Sequence, residues 1–316
     1  MMDSLQQFIK KKHKNEKGEY KIMKSGFVTA LGTPLDKDGN LMVESYKKEI
    51  EDQIRAGAAG LLVMGSMGQQ PYIRQEECTK VAKVAVEAVA GRVPVFVGAM
   101  DVSINRVKER LDGMEDLDVA GFVFTTPFYY GCSRDQIMNY FKGVAACTKH
   151  QILLYDLPGV TQSKITYDMV LELIRDIPNL AGIKSADQQM FRKLKLNPEV
   201  PKDFILVYSG LDTFDLAYKW GLDCCLDGMM SCTPVNSKKL FDAMAEGDYE
   251  AAAVYLNNIV GLRDFFVAHD LWPTFTAAMN MLGCEGNFSP DYVSDFKEEY
   301  REALYKELVR IGELPE

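Results

Sequence analysis

Short apolar runs rich in β-branched and aromatic residues recur along the chain. Each is closed by turn residues and followed by a stretch whose apolar positions have helical spacing. The runs predict strands over residues 27–31, 60–64, 94–98, 121–125, 151–155, 181–184, 205–208 and 224–226. The intervening spacing predicts helices over 43–56, 76–90, 104–114, 134–147, 166–177, 213–220 and 238–245; the stretch after Lys184 has the least regular pattern. Apolar strands alternating with helices imply a parallel sheet covered by helices. Eight such units imply an α/β fold closed as a (β/α)8 TIM barrel. An open, doubly wound sheet has the same alternation, but no glycine-rich dinucleotide fingerprint follows the first strand.

From residue 249 strand patterns stop, and amphipathic segments over 249–264, 272–281 and 292–311 predict a C-terminal helical extension packed on the barrel or on a neighbouring subunit. Residues 1–24, with Lys10-Lys11-Lys12-His13-Lys14, read as a polar leader outside the core. The expected division is therefore leader 1–24, barrel 25–247 and helical region 248–316.

Composition narrows the chemistry. With 47% hydrophobic and 26% charged residues over 316 positions the chain is of ordinary globular type. A net charge of -9 argues against an electrostatic nucleic-acid or anionic-membrane partner and for a small-molecule one. No apolar stretch approaches the ~20 residues of a membrane span, and no signal-peptide core is recognisable, so a cytoplasmic location is expected. Seven cysteines without a C-x-x-C spacing read as reduced, mostly buried thiols, with Cys224-Cys225 in an apolar run. Three histidines, none with a Ser or Cys partner nearby in sequence, discount hydrolase and zinc chemistry.

Barrel sites form where strands end in loops. There the chain offers Gly32-Thr33-Pro34, Gly65-Ser66-Met67-Gly68-Gln69, Thr126-Pro127-Phe128-Tyr129-Tyr130, Tyr155-Asp156-Leu157-Pro158-Gly159, Lys184 and Ser209-Gly210-Leu211-Asp212. Lys184 ends an apolar run, where desolvation favours the uncharged amine that attacks a ketone to make a Schiff base. The alternative is a stem that bends outward to keep its ammonium wet. The G-S-M-G turn offers successive N–H groups and a hydroxyl for a carboxylate. If the barrel closes in order, the Tyr155 hydroxyl can reach an adduct on Lys184 and move protons. The aromatics Phe128, Tyr129 and Tyr130 suit a subunit contact equally well.

In order and spacing, G-S-M-G, T-P-F-Y-Y, Y-D-L-P-G and G-I-K resemble the dihydrodipicolinate synthase and N-acetylneuraminate lyase family, over about residues 26 to 283. The resemblance implies a homo-oligomer, tetramer or dimer, acting on pyruvate or another 2-oxo acid and an aldehyde through a lysine imine, without metal or organic cofactor. It makes Lys184 the imine lysine, Tyr155 the proton-shuttling tyrosine and Ser66 the shuttle hydroxyl, which with the Met67 amide holds the 2-oxo acid carboxylate. It passes Tyr129, or Tyr130, to the adjacent site. Asp212 falls where sugar-acid lyases contact substrate hydroxyls, and Thr33, Gly210 and Gly228 complete the expected substrate contacts.

Departures are equally informative. Met67 and Gln69 replace a hydroxyl and a carboxylate of the family's turn. Val160 stands where the synthases carry an arginine for the second substrate's carboxylate, and Thr213 and Gly228 replace lyase residues. The expectation is a class I 2-oxo acid aldolase or lyase with an atypical second-substrate site. A dihydrodipicolinate synthase with a substitute carboxylate grip and a non-catalytic 2-oxo acid or sugar-acid sensor are its rivals.

Overall fold

The computed structural model describes residues 25–315; the polar leader expected over 1–24 lies outside them. Eight strands form, β1 Gly26–Ala30, β2 Gly60–Val63, β3 Val95–Gly98, β4 Gly121–Thr125, β5 Ile152–Tyr155, β6 Leu180–Ser185, β7 Ile205–Tyr208 and β8 Cys224–Asp227. They pair in parallel in chain order, and β1 also pairs with β8 through Val28↔Leu226, so the sheet closes. That closure excludes the open sheet.

Between the strands run α1 Val43–Arg55, α2 Gln75–Val89, α3 Ile104–Asp112, α4 Arg134–Ala145, the short α5 Pro158–Thr161, α6 Tyr167–Asp176, α7 Gln188–Leu196, α8 Phe214–Lys219 and α9 Pro234–Glu246. Helix α7 forms where the pattern is least regular. Its stripe is only Met190, Phe191 and Leu194, and the Asp187 carboxylate caps it by accepting from the Met190 amide.

Strand alternation divides the apolar side chains into two layers. Phe122, Phe124, Leu154 and Ile183 face the helices in one large cluster. Val28, Leu62, Phe96, Val123, Leu153, Val207 and Leu226 fill the barrel interior. Cys224 joins the interior and Cys225 the helix layer, as successive strand residues must; all seven cysteines are free thiols.

Three further helices follow, α10 Tyr249–Ala268, α11 Leu271–Met281 and α12 Arg301–Arg310. Their buried residues Leu256, Phe266, Phe275 and Leu304 join the same core, so the extension packs on the barrel. Leu35, in the loop after β1, bridges Asn287 with reciprocal backbone bonds of 2.9 Å. The helix expected over 292–311 is shorter. Residues 292–297 are turn and extended chain, and a 3-10 turn, Glu298–Tyr300, precedes α12. Phe296 packs on the core from this non-helical stretch, which keeps the apolar spacing without a helix. Among the described residues no helix is long and apolar enough to cross a membrane.

A buried carboxyl group joins two strand ends of this scaffold. Glu49 of α1 is buried, and its Oε1 accepts from the Gly32 amide at 2.8 Å and the Ser231 hydroxyl at 2.7 Å, joining the ends of β1 and β8. Oε2 has no hydrogen-bond partner among the described residues. Burial pushes this carboxyl up to about 8, against hydrogen bonds from Ser231 and Gly32 that lower it. A folded value above the unfolded one means stability that is complete below about pH 4.5 and is lost as pH rises through about 8. Glu49→Gln removes that titration. In denaturant unfolding the variant should gain on the wild-type chain between about pH 5 and pH 8, by at most about 1.4 kcal/mol per pH unit. Parallel pH profiles would show that Glu49 does not titrate in this range.

Candidate active site

The β5–β6 pairing sets the centre of the site. Ile152 pairs with Leu180, but Leu153 pairs with Gly182, so the ladder steps over Ala181. From there Tyr155 pairs with Lys184, and on either side Thr125 pairs with Tyr155 and Lys184 with Val207. Without that step Tyr155 would sit beside Ile183, and Lys184 would no longer share its level. Both side chains turn into the barrel mouth. Lys184 is 6% exposed and Tyr155 4%. The Lys184 Nζ lies 3.7 Å from the centroid of the Tyr155 ring, a cation–π arrangement. The alternative of an outward, wet ammonium is not what forms.

The next residue on each strand faces outward and locks the same ladder. Asp156 Oδ2 accepts the Ser185 hydroxyl at 2.7 Å and also pairs with Lys164, while Oδ1 accepts the Ile165 amide at 3.0 Å. The Asp156 amide donates to the Lys184 carbonyl at 2.9 Å. Lys164 also reaches Asp187 at 3.0 Å. Burial lowers the Lys164 ammonium, but its hydrogen bonds to the Asp156 and Asp187 carboxylates outweigh it and hold it above the ordinary lysine value. The aspartate of Y-D-L-P has no signal of its own in the sequence; its role comes from Ser185, one residue past Lys184, whose hydroxyl it accepts.

The other expected residues divide. Thr33 is buried, and its hydroxyl donates to the Gly68 carbonyl at 2.8 Å, tethering the G-S-M-G turn. That turn lies between Met64 and Gln69, both at left-handed φ of 52° and 56°, uncommon for residues with a side chain. Gly68 is required there, since a Cβ would lie 2.9 Å from the Leu31 carbonyl. Ser66 is exposed, and among the described residues its hydroxyl makes no hydrogen bond. Met67 packs on the interior layer and against Gly228, where a Cβ would come within 2.7 Å of Met67 Cγ. Gly210 lies close over the Tyr208 phenol. Tyr129 and Tyr130 are 72% and 74% exposed and stack edge to face on each other, with no hydrogen bond to Tyr155 or Lys184. Val160, on α5, is also exposed.

Asp212 is held by a residue that sequence reading missed. Arg263 of α10 grips both of its oxygens and keeps its carboxyl below the usual carboxylate range. Asp227, at the end of β8, was missed too. Burial raises its carboxyl, which the Met229 amide and the fields of Lys184 and Arg263 partly offset. Arg263 sits in no strand-end motif, because α10 contributes from outside the βα units. Among the described residues no cluster of His, Cys, Asp or Glu is arranged to hold a metal ion.

Known proteins resemble this chain in sequence and in fold. The model of the dihydrodipicolinate synthetase family matches residues 23–310. A 4-hydroxy-tetrahydrodipicolinate synthase of Porphyromonas gingivalis is 29% identical over 75% of this chain and 80% of that protein; one of Thermotoga maritima is 29% identical over 82% and 88%. In fold, the chain resembles Proteus mirabilis N-acetylneuraminate lyase with a TM-score of 0.84 at 18% identity, covering 92% of this chain and 100% of that one. A family protein of an E. coli K12 prophage, solved in complex with pyruvate, gives 0.82 at 22% identity over 92% and 99%.

The Asp156 clamp is open to direct measurement. Asp156→Ala leaves the buried Ser185 hydroxyl and the Ile165 amide without their acceptor, and urea unfolding should show a loss of about 1–3 kcal/mol. A loss under about 1 kcal/mol would mean that the clamp does not hold β5 to β6.

Proposed function

The chain belongs to the dihydrodipicolinate synthetase family, it is a class I, Schiff-base-forming 2-oxo acid aldolase or lyase, and from that premise we propose that Lys184 is its imine-forming residue and pyruvate or a close relative its 2-oxo acid. The observation that carries this reading is the Lys184 amine, buried in the mouth of a closed barrel and 3.7 Å from the Tyr155 ring centroid. The amine adds to the C2 ketone, the resulting carbinolamine loses water, and the protonated imine withdraws electrons from C3. Loss of a C3 proton gives an enamine that attacks an aldehyde; the reverse sequence cleaves the carbon–carbon bond. Hydrolysis then frees the lysine. The Tyr155 ring face favours the positive charge that the protonated imine carries at that nitrogen, and its phenol shuttles protons to and from the leaving water. In this reading Ser66 and the Met67 amide take the 2-oxo acid carboxylate.

The second substrate is not the one that the synthases condense. Val160 is 61% exposed and gives an aldehyde's carboxylate nothing to bind. Synthesis of 4-hydroxy-tetrahydrodipicolinate is the second reading, favoured by the names of the 29% identical relatives; turnover with aspartate semialdehyde would promote it. The exposed Tyr129 and Tyr130 pair supports assembly into a homo-oligomer in which one of them completes a neighbour's site, and an intracellular setting accords with the free thiols.

Borohydride reduction in the presence of pyruvate should leave a stable adduct on the peptide carrying Lys184, detected by its mass, and none in Lys184→Ala. An adduct on any other lysine would move the reaction elsewhere. Tyr155→Phe should slow trapping by about 100-fold or more while leaving thermal stability nearly unchanged; an unaltered rate removes the phenol from the proton path.

A further inference from the structure

A cavity of about 510 Å³ lies on the outer wall of the barrel, bordered by α1, α9, the end of α11 and the chain after α12. Close-packed interiors leave few voids larger than a water molecule, and this volume is that of a small-molecule site. Neither Lys184 nor any of the expected substrate contacts borders it.

Pro234, Val235, Met279, Leu282 and Leu314 give it an apolar lining. The charges around its rim are engaged. Lys238 pairs with Asp242 and Lys48 with Asp52, both at 2.6 Å, and Arg55 reaches Asp52 at 4.0 Å. Lys239 lies over the Tyr255 ring, and Glu313 accepts the Val235 and Asn236 amides at the start of α9. Toward the strands the wall is Glu49 and Ser231, 1% and 3% exposed. There one polar atom stands apart: the Ser231 hydroxyl donates to Glu49 Oε1, but Glu49 Oε2 has no hydrogen-bond partner among the described residues.

The bonding of Glu49 sets what that atom can do. Oε1 accepts from both the Gly32 amide and the Ser231 hydroxyl, which fills its lone pairs and leaves the acid proton to Oε2. The same two bonds fix the plane of the carboxyl group, so the donor direction is set before a ligand arrives. Burial keeps the group protonated up to about pH 8. Tyr46 on the same helix, and the Cys232 and Cys284 thiols, are also raised by burial and stay neutral over that range. An ammonium entering this space would shed its water and displace the Glu49 proton, and a carboxylate would shed its water against an apolar wall. An uncharged acceptor meets neither cost.

We propose that this cavity is a second ligand site, independent of the Lys184 chemistry, for a small uncharged molecule with an apolar body and one carbonyl or ether oxygen that accepts a hydrogen bond from Glu49 Oε2. The ligand would bind from the helix layer, on the far side of the strands from the barrel interior.

Calorimetric titration of the full chain with N-methylcaprolactam tests the site. Its apolar ring carries an amide oxygen that accepts and cannot donate, and it has no ketone to react with a lysine. Binding at pH 7 should be saturable and should weaken about tenfold by about pH 9, where a group titrating near 8 is about nine-tenths ionised. Glu49→Gln, whose amide N–H takes the place of the acid proton, should bind within about threefold of wild type at pH 7 and lose the pH dependence. Val235→Trp fills the cavity from α9 without removing the backbone bond to Glu313, and should abolish binding with little change in thermal midpoint. Excess pyruvate should not compete. Absence of binding up to about 10 mM, a weak limit for so small a molecule, would overturn the proposal. Equal affinity at both pH values in the wild-type chain, binding that survives Val235→Trp, competition by pyruvate, or tighter binding of cyclohexylamine at pH 7 would overturn it as well.

Discussion

The register between β5 and β6 is the constraint on which the site depends. Parallel strands place paired residues side by side at one level of the barrel, and a shift of one residue sends every side chain to the opposite face. The step over Ala181 is what puts Lys184, rather than Ile183, beside Tyr155. The Lys184 amine and the Tyr155 ring then share a closed apolar mouth, with the nitrogen 3.7 Å from the ring centroid. Barrel closure supplies the walls: with β1 bonded to β8, no strand edge lets water reach the lysine from the side.

That register is held from outside as well as within. Asp156 and Ser185 are the immediate sequence neighbours of Tyr155 and Lys184, and alternation turns them to the helix-facing side, where they bond to each other. The same two strand ends thus carry a reactive pair on one face and a clamp on the other. Lys164 and Asp187 extend the clamp to the loops that follow, so displacing either strand would leave a buried carboxylate unpaired. Preorganisation of this kind lets a site keep its geometry without help from the ligand.

Loops on the opposite side of the mouth are joined by a second buried polar system. Glu49 links the ends of β1 and β8, and Thr33 carries the link to the turn after β2. Met67 from that turn and Gly228 from β8 close on each other across the opening. Helix α10 then reaches the loop after β7 with Arg263, and its buried residues Leu256 and Phe266 join the barrel's outer core.

Local physics made much of this legible in the sequence. Eight apolar runs with helical spacing between them determine eight βα units, since a fully apolar strand is stable only when both faces are covered. An apolar run that ends in lysine marks an unusual amine, and the strand-end motifs point to one end of the barrel. Helix α7 is faint because three buried residues suffice where Asp187 caps the start, and the start of α12 is obscured because Phe296 keeps the apolar spacing while packing on the core from outside any helix. Closure of the sheet, the step at Ala181, the burial of Glu49 and the grip of Arg263 on Asp212 were decided only by the tertiary structure. Each depends on contacts between residues far apart in the chain, and spacing along a sequence carries information about faces of one element, not about which other element a face will meet.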